Sequence, residues 1–525
     1  MSRAPLPGPS PAPPRPHWDP RRNPCVPAVA LDGAMVELSL VELLAQAEKL
    51  RAVSGATPGE TVAVIEHLLA LCYASETYPS SVEEWQTWVE EDHSLDRAAS
   101  WLADEPDENW DLFHPTQPLG QNILLAPFLD EHGTGPAQLV VERSGDYSQF
   151  FDHHHLEHPE PFLPADAFRA MLTQHVYGLP ARARISGKAT LGPAITNLSA
   201  GRLSGRIRVL ALGTTLGETL RLNLYPPNGP KGTLNLSWTT GDMARRGFQA
   251  RPPGREVSGP ADLHSYLGRS VLLRPTIGPD GTTVHVDRVL IGAGELLTLE
   301  MRHLQDAVFA RTMGGTVKPL WPSASRALWL KAHALYAAVT ERQAGLYGLL
   351  GELPRRPGPH SLKLWAVGLV ANKTLPISWT EGFFPFAPHM DHELHEASRR
   401  GSAIAEHVAR SLQIAAYAAW EVAYPNPRPS DRDRQVARFD ARAEHWPAAA
   451  GPFQILLEET AEGEPVPDSL LDYADTLQAA AIQFLTKRLD SLPRNNQGLR
   501  ARAVALRRLK DELTGRRAPA ELRGV

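Results

Sequence analysis

Residues 145–162, "GDYSQFFDHHHLEHPEPF", crowd Tyr147, Phe150 and Phe151 against His153, His154 and His155, with His158 just beyond. Imidazole is the commonest side-chain ligand for transition metals, so a metal-dependent hydrolase using His153, His154, His155 or His158 is one reading. A metal centre needs ligands that converge on a point, and adjacent histidines point in different directions. His154 and His158 have the i, i+4 spacing of one helical face, but Pro159 and Pro161 oppose a regular helix there. The spacing favours an exposed loop that touches a partner through rings and imidazoles. No metal or other cofactor is expected.

Other catalytic patterns fail on spacing. "HELHE" at 392–396 puts its second histidine at i+3, which breaks the H-E-x-x-H register, and reads instead as the solvated first turn of a helix. "LGTTLGETL" has two glycines but neither the lysine of a P-loop nor a dinucleotide fingerprint. A non-enzymatic role follows.

The formal charge of −6 argues against a nucleic-acid partner only until it is divided along the chain. Residues 181–217 hold Arg182, Arg184, Lys188, Arg202, Arg206 and Arg208 with no acid, and residues 492–525 hold nine cations against Asp511, Glu512 and Glu521. Affinity for phosphate follows the local field rather than the sum. The first zone is read with equal weight as a phosphate contact or a solvated face. Two cysteines, Cys25 and Cys72, exclude a disulfide framework and fit a reducing, cytoplasmic setting. No apolar run is long enough to span a membrane.

At 525 residues the chain exceeds what one core usually supports. Residues 1–24 are so proline-rich that a flexible arm is expected. Helical patterns cover 39–52 and 60–75, "AQLVVERS" (137–144) reads as a strand, and "PADAFRAMLTQHVYG" (164–178) as a helix closed by its glycine. "GRIRVLAL", "SVLLRPTI" and "TVHVDRVLI" read as strands. "SLKLWAVGLV" and "LPISWTEGFF" flank "ANKT" (371–374), which predicts a hairpin with Asn372 and Lys373 at its tip. Beyond Pro388 the apolar residues fall at helical spacing, as in Ile404, Val408, Leu412 and Ala415. The expected fold class is α+β: a mixed domain over 25–388, a four-helix bundle over 389–515 and a basic tail over 516–525.

Four stretches, in this order, resemble one family. "DLFHPTQPLGQ" (111–121), "GDYSQFFDHHHLEH" (145–158), a helix ending in "HVYG" and "LGETLRLNLYP" (216–226) are similar to segments of the large subunit of the type I-E CRISPR surveillance complex Cascade. "LHSYLGRSVLL" (263–273) resembles a further family segment. The resemblance covers about residues 25–515 and implies a non-catalytic subunit. Its partners would be the other Cascade subunits, CRISPR RNA, double-stranded target DNA and a helicase-nuclease effector. In such systems base pairing reads sequence while protein reads the short flanking duplex, the protospacer-adjacent motif (PAM).

The resemblance also implies site residues. Residues 145–158 align with the family's first recognition loop, in which Phe151 matches the family phenylalanine and Asp152 and His153 follow it. "ANKT" aligns with the wedge that opens the first target pair, with Asn372 keeping an amide and Lys373 replacing a glutamine. The glycine-rich loop falls at Gly178 to Gly187, where "GLPARARISG" brings Arg182 and Arg184, with Lys188 next in sequence. Those cations favour side-chain contact over close backbone approach.

Overall fold

The computed structural model describes residues 15–143, 160–182, 197–238, 254–300, 303, 306–311, 317–323, 327–341, 343, 345–354, 362–425 and 429–524. The α+β class is as expected.

The N-terminal part is built around the helix Pro58–Ala74. Thr57 caps it by accepting from the Glu60 amide, and apolar residues surround its axis from Val62 to Tyr73. A helix apolar on all sides belongs in an interior, and this one carries Glu66 and His67 into the core with it. The helix Pro164–Tyr177 packs on it, placing Phe168 edge-on to His67 at 5.9 Å. A three-stranded antiparallel sheet covers one end, in the order Met35–Leu38, Val26–Ala30, Leu50–Val53. The helix expected over 39–52 is therefore shorter. A Ser39–Glu42 capping box starts it, it ends at Ala45, and Leu50–Val53 turns to strand because Leu50 and Val53 are needed on the sheet's buried face.

Two further expectations are corrected. Residues 137–143 form turns of 3₁₀-helix rather than a strand, and Leu139 and Val141 reach the core from those turns. Residues 15–24 are not a loose arm. Arg21 is buried over Trp110, paired with Asp19 and Asp107 at 2.6 Å each, and donates to the carbonyls of Leu102 and Glu105. A guanidinium satisfied on all sides fixes the segment that carries it.

The second half rests on a three-stranded antiparallel sheet, Leu375–Phe386 beside Leu362–Asn372 beside Ile207–Leu212. Helices Asp391–Ala423, Arg442–Glu462, Val466–Leu489 and Asn496–Thr514, with the short Arg432–Ala437, make the C-terminal bundle. "HELHE" lies in the first turn of the first of these, with His392 exposed. One apolar cluster runs without interruption from Val209 and Leu364 on the sheet to Leu412, Leu477 and Leu509 in the bundle. Residues 516–524 are packed rather than tail-like, with Ala518 and Leu522 in that cluster and Glu521 bonded to Arg400 at 2.6 Å.

The basic stretch 181–217 divides sharply. Arg202 and Arg208 are neither phosphate contacts nor a solvated face: both are buried against Glu66 and Asp306. Arg208 Nε lies 2.8 Å from Glu66 Oε1 and 3.2 Å from Asp306 Oδ2, and Arg202 Nη1 lies 2.9 Å from Asp306 Oδ2. Arg202 Nη2 meets Glu66 Oε2, which also takes His264 Nδ1 at 2.7 Å. The cluster ties the central helix to the sheet, to residue 306 and to the short helix Pro260–His264. Burial alone would push the Glu66 carboxyl up, but Arg202, His264 and Arg208 hold it well below the usual carboxylate range.

Removing one partner of a buried ion pair strands the other. Glu66→Gln is expected to lower unfolding stability by about 3–5 kcal/mol, read from urea denaturation at neutral pH. A loss within about 0.5 kcal/mol, the range of ordinary surface substitutions, would show that the cluster is not a structural keystone.

Candidate nucleic-acid interface

The exposed candidates sit on elements rooted in this core. Leu362–Asn372 and Leu375–Phe386 pair residue by residue up to Asn372↔Leu375, so Lys373 and Thr374 alone make the turn. Asn372 is the last paired residue and Lys373 the tip, and both side chains are exposed. Lys373 adopts φ 58, a left-handed conformation that costs a non-glycine residue about 1 kcal/mol. A register shift falls at Val370/Ala371, an irregularity of the kind that increases local strand twist. No acid lies within ion-pair distance of Lys373 among the described residues, so its ammonium is free for an outside anion.

The hairpin is anchored partway along its length, at the pair Leu369↔Trp379. Trp379 donates from its indole N–H to Glu142 and stands edge-on to Tyr177, ring centres 4.8 Å apart. A Cβ on Gly59 would overlap the same indole. Glu142 is next to the last described residue before the histidine-rich stretch, so the hairpin and the entry to that stretch share one anchor. Phe151, Asp152 and His153, with His154, His155 and His158, lie outside the described residues. Among the described residues, no group of three or more His, Cys, Asp or Glu is arranged to hold a metal ion.

The glycine-rich region has its own anchor. Gly178 ends the helix Pro164–Tyr177 and is buried: a Cβ there would come within 2.5 Å of the Arg269 guanidinium. Its lack of a side chain lets Arg269 close the neck behind it. That guanidinium has carbonyls rather than an acid as partners, donating to Leu179 O at 2.6 Å, Gly268 O at 2.9 Å and Ser199 O. Burial without a counter-charge pulls its pKa down to about 10. Leu179 and Ser199 lie at the same end of the two-residue antiparallel pairing Ala181↔Leu198 and Arg182↔Asn197, one on each strand. Arg182 is the last described residue before the stretch that carries Arg184 and Lys188, which lie outside the described residues.

His175 supports Arg269 from below. Its Nε2 faces Gly120 O at 3.0 Å and its Nδ1 accepts the Arg269 amide at 3.2 Å, a pair of roles only the neutral ring can fill. Burial brings His175 and His67 each down to about 4.

A model of the family described as CRISPR-associated protein Cse1 matches residues 22–484. The chain belongs to the Cse1 family. The fold agrees: the chain superposes on the crystal structure of Cse1 from Acidimicrobium ferrooxidans with a TM-score of 0.72 at 20% identity, covering 95% of this chain and 98% of that one. For CasA (Cse1) from Thermus thermophilus the values are 0.73, 17%, 94% and 100%. A chain of a structure described as a CRISPR RNA-guided surveillance complex gives 0.69, 20%, 94% and 100%. A comparison with curated proteins returned no match.

Membership in the Cse1 family does not make every shared stretch a contact surface. In "DLFHPTQPLGQ" Leu112 and Phe113 are buried, Gln121 donates to Leu112 O and Leu119 O, and its Oε1 accepts from the Leu273 amide. In "LGETLRLNLYP" Arg221 is fully buried, paired with Asp92 at 2.8 Å and with Glu48. Arg269, which closes the neck, was not among the expected site residues, although it lies within "LHSYLGRSVLL". The signal was an arginine opening an apolar strand with no acid near it in sequence.

The two histidines give a pH dependence. Their folded pKa values lie below the unfolded value near 6.5. Between pH 6.5 and about 4 the unfolded chain takes up protons that the folded chain refuses, so stability falls as pH falls. His67→Phe is expected to flatten the decline of the urea midpoint across that window. An unchanged slope would show that His67 is not held neutral by the fold.

Proposed function

We propose that this Cse1-family chain is the large subunit of a type I-E surveillance complex, Cascade. In this reading it recognises the PAM in duplex DNA and opens the helix beside it, performing no bond-breaking of its own. The observation that carries it is the hairpin tip: an exposed, unpaired ammonium held in a left-handed turn on a hairpin anchored at Trp379. A stiff two-residue turn is narrow enough to enter a groove, and a cation at its apex is drawn to phosphate. Family membership and the likeness to a chain of an RNA-guided surveillance complex support the assignment. The loop with Phe151, Asp152 and His153 would contact the guide RNA and the flanking motif by stacking and hydrogen bonding. Arg182, Arg184 and Lys188 would add phosphate contacts above the neck that Gly178 permits. Recruitment of a helicase-nuclease belongs to the same reading and rests on the family resemblance alone.

Lys373→Gly is the sharpest variant, because glycine suits φ 58 better than lysine does. It is expected to leave assembly intact and stability unchanged or slightly higher. Target-duplex affinity of the assembled complex should fall about fivefold, with the salt slope shallower by about one. Equal affinity for Lys373→Gly and the parent at matched salt would refute the hairpin as a DNA contact.

A further inference from the structure

The buried ion cluster has more cations than anions. Glu66 and Asp306 face Arg202 and Arg208, and a third guanidinium, Arg206, stands beside them. Arg206 makes no ion pair and no side-chain hydrogen bond among the described residues, and its Nη1 is buried with no partner. Burial works against its charge, and Arg202 adds to that effect while Asp306 offsets part of it. A half-buried guanidinium with unused donors is costly unless an anion arrives from outside.

Space for one exists. Arg206 lines a cavity of about 340 Å³ together with Gly201, Ser204 and Leu297. Beside it Gly205 adopts φ 70, and a Cβ there would meet the Trp321 ring at 2.8 Å. The indole therefore lies against glycine backbone, yet Trp321 remains 72% exposed. A guanidinium without a partner and an exposed indole that lies against the glycine preceding that arginine match the two parts of a nucleotide: a phosphate for the first and a base for the second.

We propose that Arg206 and Trp321 form a nucleotide-binding site for single-stranded nucleic acid, with Arg206 on a backbone phosphate and Trp321 under the base. This rests on the nucleic-acid reading above but not on the hairpin. The site lies on the strand-leading turn 203–206, directly over the cluster that fixes the central helix. Asp306 Oδ1 is also buried without a partner, so the rival role for Arg206 is purely internal, as a sixth member of the ion cluster. The two roles differ in what a substitution changes.

The test uses the full chain and a fluorescein-labelled single-stranded oligonucleotide, titrated by anisotropy at several salt concentrations. Arg206→Gln is expected to weaken binding about fivefold and make the salt slope shallower by about one, and Arg206→Lys to recover most of both. Trp321→Ala is expected to weaken binding by a similar factor with the slope unchanged. Unchanged affinity and slope in Arg206→Gln overturn the proposal. So does a large fall in melting temperature in that variant with no effect of Trp321→Ala on binding, which assigns Arg206 to the ion cluster. Stabilisation by inorganic phosphate that depends on Arg206, without any change in oligonucleotide affinity, overturns the nucleic-acid assignment. Lys373→Gly measured in parallel separates the two readings: its failure with Arg206 effects intact removes the hairpin alone, and the reverse result removes only this site.

Discussion

Glu66 is the charge on which the architecture depends. It is carried into the core by a helix that is apolar on all sides, and it can stay ionised there only because Arg202, Arg208 and His264 surround it. Those partners come from two distant segments, residues 202–208 and the short helix that ends at His264. Satisfying one carboxylate therefore fixes the edge strand of the central sheet, the turn before it and the short helix Pro260–His264 relative to one another. Buried ion pairs often contribute little net stability compared with an apolar substitute. Here the geometric consequence matters more, because an unsatisfied charge in the interior excludes any other arrangement of these segments.

Arg269 repeats the device at a smaller scale with neutral partners. Its guanidinium holds the carbonyls of Leu179 and Ser199, Gly178 leaves room for it, and neutral His175 accepts its amide. Trp379 does similar work partway along the hairpin through Glu142, Tyr177 and Gly59. A contact surface built from loops gains precision when the loops leave a rigid body at fixed points.

Much of this was legible in the sequence. The hairpin, the helix Pro164–Tyr177 and the bundle followed from period and from punctuation by glycine, proline and "ANKT". Partnership was not legible. Six cations without an acid between 181 and 217 looked like one charged face, because sequence distance hides that Glu66 and Asp306 meet Arg202 and Arg208 in space. The arm failed for the same reason, since Arg21 finds Asp107 and two carbonyls some eighty residues away. "AQLVVERS" failed because an apolar run of that length serves a core equally well from 3₁₀ turns.

Photo-cross-linking tests the central claim most directly. A benzophenone side chain is placed at position 373 in one assembled complex and at position 363 in another, each with guide RNA and a target duplex. Lys363 is also exposed but lies ten residues down the same strand, about 33 Å from the tip at the usual rise. Cross-links from position 373 to the base pairs beside the guide-matched segment, with none from 363, are the predicted result. DNA cross-linked from 363 and not from 373 would contradict it.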